Sequence, residues 1–292
     1  MELLVQQLAN GIMTGAIYVL MAIGMVISLN VLRVVNLAHG QAIMLGGFFT
    51  YFLAGVYGLN LFLTLIIVFI AVGIIYIIIE RAVLRTIRQK RIPMLVASTA
   101  MLGVALTIDE IARRLWGVET RMIQIGFGSQ SIVIGGVYFT VLRLTIFLTC
   151  LASIALLLLF IYRTKIGKSL RAIAQDTEVA ALVGINVDSG MRLGFFISAG
   201  LGALAGALMA QMIPIYFNMG LPILFKSAAI VVVGGITSIS GCLVAGFILA
   251  IGEALVIGYF GAEFRDLFFF GALVFILLVR PAGLMGREIV RE

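Results

Sequence analysis

The sequence predicts an all-α, polytopic bundle of about eight to nine membrane-crossing segments, and three observations carry that prediction. Of 292 residues, 63% are hydrophobic and only 11% charged, more apolar surface than a soluble core of this length buries. The apolar runs are continuous and about 20 residues long, the length at which a helix crosses hydrocarbon, whereas barrel strands would show about 10 residues of alternating character. There are 33 glycines against four prolines, so most glycines fall inside helices, where they let backbones approach closely.

Taken in order, the apolar segments run over about 9–32, 38–57, 60–79, 94–112, 141–162, 190–212, 223–239, 241–260 and 266–283. No basic residue precedes the first run in MELLVQQLANG, so that run is expected to stay as a helix rather than leave as a signal peptide. Arg81, Arg85, Arg88, Lys90 and Arg91 follow the third segment. Arg163, Lys165, Lys168, Arg171 and Arg192 fill or flank the stretch after the fifth. The excess of basic residues places both loops in the cytoplasm, and segment counting then puts the N-terminus outside, with Arg33 and the C-terminal Arg280, Arg287 and Arg291 inside. A net charge of +7 distributed in this way speaks of membrane orientation and membrane lipid, not of nucleic acid.

The whole chain, 1–292, therefore reads as one transmembrane domain with a cytoplasmic loop at 163–192 and an extracytoplasmic loop at 113–140. VETRMIQIGFGSQSIVIGGVYFTV in the outer loop is rich in β-branched residues and glycine, which suits a small hairpin. The segment at 223–239 is short and ends in GGITSISG, a pattern of an interrupted or half-crossing helix.

Small residues recur every fourth position in Ala42, Gly46, Thr50, Ala54 and Gly58, in Ser198, Gly202, Gly206 and Ala210, and in Gly246, Ala250, Ala254 and Gly258. Each row lies on one helix face and is read as a packing groove. VVNLAHGQAIMLGGFF and VVVGGITSISGCLVAGFI share a layout, a small or polar break followed by a glycine-striped helix. Cys150 and Cys242 lie in apolar runs without a Cys or His neighbour and are read as packing residues, so no metal site is expected.

Polar residues inside so apolar a chain stand out. His39, the one histidine, sits in NLAHGQ with Asn36 and Gln41, and side chains of this kind are expected to face protein or a water-filled path. Asn36 is expected to cap the next helix and put His39 in its first turn. Asp109 and Glu110 precede Arg113 and Arg114 at salt-bridge spacings. Glu253 is the one acid placed mid-segment where proton or sodium coupling would need it. There is no HExxH, GxSxG or GxxxxGK[ST] pattern, so neither zinc hydrolysis, serine catalysis nor ATP hydrolysis is expected of this chain.

The one long polar stretch is RTKIGKSLRAIAQDTEVAALVGIN, Arg163 to Asn186. Asp176 to Val183 has the makings of a short helix: Asp176 or Thr177 caps it, Glu178 suits the dipole of its first turn, and Gly184 stops it. The basic head, RTKIGKSLR, reads as cytoplasmic anchors.

GKSLRAIAQDTEVAALVGIN resembles the coupling loop of ABC-importer permeases, with Ala180 and Ala181 followed by Gly184 at the usual spacing. NLAHG, VVVGGITSISG and RPAGLMGR resemble hallmark segments of the branched-chain amino acid permease group, in matching order over about residues 10–287. Gln41 departs from the pattern, in which Glu more often follows HG, and this weakens any role for charge at that position.

The resemblance implies an ABC-importer permease that binds no cofactor itself, with ATP used by partner subunits. The implied partners are a second permease subunit, homologous or a copy, two cytoplasmic ATPases, and a periplasmic or lipid-anchored binding protein, at a bacterial or archaeal cytoplasmic membrane. Asp176, Glu178, Ala180, Ala181 and Gly184 would carry ATPase coupling. Apart from the resemblance, Asn36, His39 and Gln41 are read as a hydrogen-bonded helix start near the cytoplasmic face, with shaping of the cytoplasmic end of the path as the alternative for Asn36 and His39. Gly46, Gly202, Gly206 and Gly246 would serve helix packing. A urea or short-chain amide permease, or an ion-coupled transporter, are the alternatives.

Overall fold

A computed structural model describes residues 2–90, 92–123, 130–134 and 137–286. Its elements are helices throughout, apart from one two-stranded hairpin. Among the described residues, six helices are long and apolar enough to cross a membrane: α1 (Glu2–Leu32), α3 (Leu61–Ile79, continuing through a π-turn at Glu80–Leu84 into α4, Arg85–Gln89), α5 (Met94–Trp116), α6 (Val141–Arg163), α9 (Val187–Met209) and α11 (Ile239–Phe260). Three shorter helices fill the remaining apolar segments, namely α2 (His39–Thr50, extended by a π-turn to Val56), α10 (Gly220–Gly234) and α12 (Arg265–Val279). Fifteen residues of α10 rise about 23 Å, less than the roughly 30 Å of hydrocarbon. Each of the nine apolar segments thus holds a helix, and among the described residues six of these have the length of a full crossing.

The stretch expected to hold basic anchors is itself helical. Thr164 Oγ1 accepts from Gly167 N at 2.9 Å and starts α7 (Lys165–Gln175), and α8 (Thr177–Leu182) follows with one residue between them. Leu170 and Ile173 make α7 amphipathic, and Gly167 is obligatory because the carbonyls of Phe160 and Ile161 leave no room for a Cβ.

The described residues divide into two compact units, one within 1–23, 125–152 and 225–292, the other within 24–124 and 153–224. In the first, α1 and α11 run antiparallel with glycines at the crossing. A Cβ on Gly11 would come 2.6 Å from Ile251 Cα, and one on Gly246 2.6 Å from Val19 Cγ2. The hairpin is present as β1 (Ser131–Ile134) and β2 (Val137–Thr140), paired antiparallel, and Gln6 ties it to α1 through both the amide and the carbonyl of Tyr138. The rest of the expected hairpin stretch, 124–129 and 135–136, lies outside the described residues, as do Arg91, Arg287 and Arg291.

In the first unit the two resembling segments VVVGGITSISG and RPAGLMGR meet. Leu284 N donates to Val233 O at 2.7 Å and Met285 N to Gly234 O at 3.1 Å, so the C-terminal segment satisfies carbonyls that the end of α10 leaves without helical partners. Ser238 Oγ then caps α11 by accepting from Gly241 N at 2.9 Å.

In the second unit α9 is the hub. It lies antiparallel to α1, with Gly194 against Val31, and antiparallel to α3, with Gly200 against Phe69 and Gly73 against Phe196. It lies parallel to α2, where the glycine row matches residue for residue: Gly202 faces His39 and Ala42, Gly206 faces Ile43, and Gly46 meets Ala203. Gly58, read as the end of the α2 row, stands instead past the π-turn at φ +67 with open space around it.

Candidate functional site

Two places in the second unit concentrate polar chemistry. The first is α8. Asp176 Oδ1 accepts from Glu178 N at 2.8 Å and Val179 N at 3.1 Å, so the cap foreseen at Asp176 forms there and Thr177 becomes the first helical residue. The amides of Val179 and Glu178, with the Arg33 charge behind them, hold the Asp176 carboxyl below the usual carboxylate range. Gly184 ends the turn at φ +84, a conformation that costs a residue with a Cβ about 1–2 kcal/mol.

The faces of α8 divide sharply. Ala180 is buried within the chain at 2% exposure and seats the helix, whereas Ala181 and Glu178 are exposed. Val179, Leu182 and Val183 are exposed at 55%, 86% and 70%, a ridge of apolar side chains on a segment otherwise rich in polar groups. Sequence reasoning singled out the small residues and missed this ridge. Its signal was present in VAALV, where apolar residues outnumber what a six-residue helix buries.

The second place is the break between α1 and α2. Asn36 does not take the cap position expected of it. Ala38 does, and Asn36 Oδ1 accepts from Ala38 N at 3.1 Å in a turn two residues ahead of the helix. His39 is the first residue of α2 and fully buried. Its ring lies between α1 and α9, since a Cβ on either Gly24 or Gly202 would come within 3.0 Å of His39 Cε1. Gln41 Nε2 reaches both oxygens of Asp109 at 3.3 Å, and Tyr76 OH donates to Ala38 O. Asn36 Nδ2 and Gln41 Oε1 keep hydrogen-bonding capacity with no partner among the described residues. Gly40 packs against the Gly220 carbonyl, so this knot also touches the start of α10.

Asp109 and Glu110 separate in role. Glu110 alone pairs with Arg113 and Arg114, at 2.8 Å each, while Asp109 turns to Gln41, a partner 68 positions away that spacing rules do not reveal. In the first unit, Glu253 is buried and held by Lys226 Nζ at 2.9 Å and by Arg265, and Lys226 lies 3.3 Å from Asp266. A cavity of about 390 Å³ beside Phe69, Phe160 and Phe196 is lined by apolar side chains and Ser153, with little to orient a polar ligand. Cys150 and Cys242 are both buried, and no three His, Cys, Asp or Glu side chains converge among the described residues.

Comparison with known proteins adds the following. A family described as "Branched-chain amino acid transport system / permease component" matches residues 7–277. The high-affinity branched-chain amino acid transport system permease protein LivH of Salmonella typhimurium is 30% identical over 302 residues, covering 98% of this chain and 97% of its own. The corresponding protein BraD of Pseudomonas aeruginosa is 30% identical over 305 residues with the same coverage. A probable branched-chain amino acid transport permease protein LivH of Methanocaldococcus jannaschii is 28% identical over 295 residues, 96% of this chain and 91% of its own. No solved structure matches.

Proposed function

Because the chain belongs to the family of branched-chain amino acid transport system permease components, and is a multi-pass membrane protein, we propose that it forms the membrane path of an ATP-driven importer. In this reading branched-chain amino acids are the cargo, because the relatives are named for branched-chain amino acid transport and not for urea or short amides. The working assembly holds a second permease subunit, homologous or a copy, two cytoplasmic ATPase subunits that use the ATP, and a periplasmic or lipid-anchored binding protein. The N-terminus faces outward and the C-terminus the cytoplasm.

The observation that carries the reading is the ridge on α8. A helix of six residues, capped at one end by Asp176 and stopped at the other by Gly184, exposes Val179, Leu182 and Val183 where water would otherwise cover them. Such a surface suits a cleft on an ATPase subunit, and Ala181 leaves room for close approach. ATP-driven movement of that cleft then pushes α8 as a rigid body. In the same reading the polar knot around Asn36, His39 and Gln41 shapes the path.

The test is Leu182→Glu, with Ala181→Arg beside it. Both are expected to leave membrane insertion intact, to release the ATPase on co-purification and to abolish uptake. Unchanged uptake in both variants sinks the proposal. Cargo is read separately, by whether the cognate binding protein retains leucine or urea.

A further inference from the structure

Arg33 closes α1 in the left-handed region, φ +56, the one non-glycine residue with positive φ among the described residues. Its amide donates to Leu29 O at 2.9 Å, the bond of a left-handed helix stop, a position at which glycine is the favoured residue. An arginine in place of the favoured glycine points to a use for its side chain. Nη2 donates to Gln175 O at 2.9 Å, and Gln175 is the last residue of α7. The guanidinium therefore satisfies a terminal carbonyl and sits on the negative end of the α7 dipole, one residue ahead of the α8 cap.

A second arginine holds the start of α9, the helix that follows α8. Arg88 Nη2 lies 2.8 Å from Asp188 Oδ1, in the first turn of α9, and 3.1 Å from Glu80 Oε1 in the π-turn that ends α3. Glu80 is fully buried, so Arg88 lies between two carboxylates, one of them sealed from water. Arg33 by contrast has one exposed hydrogen bond and a strained backbone. Between the two lies a cavity of about 260 Å³ bounded by Arg33, Arg88, Thr177 and Met191, which leaves α8 room to shift.

We propose that Arg33 is a positioning residue for energy coupling. It carries a displacement of α8, through the Gln175 carbonyl, into the break that ends at His39, while Arg88 and Glu80 form the fixed pivot. The main-chain distance from Arg33 to His39 is six residues of non-helical chain, short enough for a pull at one end to be felt at the other. The proposal rests on α8 being the ATPase contact.

The experiment uses the assembled transporter in proteoliposomes with its binding protein, comparing Arg33→Gly, Arg33→Lys and Leu182→Glu for ATPase co-purification and for uptake per ATP hydrolysed. Glycine suits the left-handed backbone, so Arg33→Gly is expected to insert and to retain the ATPase, with uptake per ATP lowered roughly tenfold. Arg33→Lys keeps a cation within reach of the carbonyl and is expected to recover most of that loss. Normal coupling in Arg33→Gly overturns the proposal. So does a loss that lysine fails to recover with the ATPase still bound, because a cation beside the Gln175 carbonyl would then not be what couples α8 to the break. If Leu182→Glu keeps its ATPase, the reading of α8 falls first. If it loses the ATPase while Arg33→Gly couples normally, only the role of Arg33 falls.

Discussion

The breaks before α2 and before α11 share a plan and differ in what closes them. Each interrupts the chain between two apolar helices and then starts a helix with a glycine pressed onto a glycine carbonyl, Gly40 on Gly220 and Gly241 on Gly234. Ahead of α11 the closure is made by main chain, with the amides of Leu284 and Met285 on α10 carbonyls and a serine cap. Ahead of α2 it is made by side chains: Asn36, the buried His39, Tyr76 on Ala38 O, and Arg33 reaching to α7. Main-chain closure has one arrangement. Side chains can exchange partners, so the first break is suited to movement and the second to holding still.

The largest expected effect tests what the two share. Gly40→Val and Gly241→Val each drive a side chain into a backbone carbonyl, and each is expected to cost about 3 kcal/mol, seen as loss of monodisperse protein in detergent. Next comes the difference. His39→Gln is expected to lower uptake about tenfold with folded protein retained, whereas Leu284→Ala, which keeps its main-chain bond, leaves uptake near the starting level. If the two variants transport alike, the contrast between the breaks fails.

A smaller effect belongs to Ser238→Ala. Loss of that cap is expected to cost about 1 kcal/mol and to lower the thermal midpoint by about 2–4 °C, with transport by the surviving protein unchanged. The smallest sharpens the contrast between a neutral cap and a charged one. Because the folded Asp176 carboxyl titrates below its unfolded range, its stabilisation of α8 is complete above the ordinary carboxylate range and fades only as pH falls through the lower, folded value. Amide exchange at Glu178 and Val179, corrected for intrinsic rate, should therefore show constant protection from pH 8 to pH 5. Protection lost within that window would refute the cap.

What was legible in the sequence was what depends on neighbours along the chain. Nine apolar runs announced nine helices, and Asp176 and Gly184 announced the ends of α8, because length, capping and left-handed stops are local. α7 was legible too, in Ile166, Leu170 and Ile173 at helical spacing, but the basic residues between them pointed to anchors instead. The partner of Asp109 and the meeting of Val233 with Leu284 join residues far apart, and helix packing decides such pairs. Asn36 misled because its side chain has two local uses, and the chain took the turn over the cap.

The ridge on α8 also bears on the life of the protein in the cell. A copy made in excess of its partners would carry Leu182 and its neighbours bare in water, the kind of surface by which chaperones and proteases recognise unassembled subunits. If α8 docks as proposed, the chain's steady-state abundance should follow the supply of the subunit that covers it, so that stoichiometry is enforced by turnover as well as by synthesis.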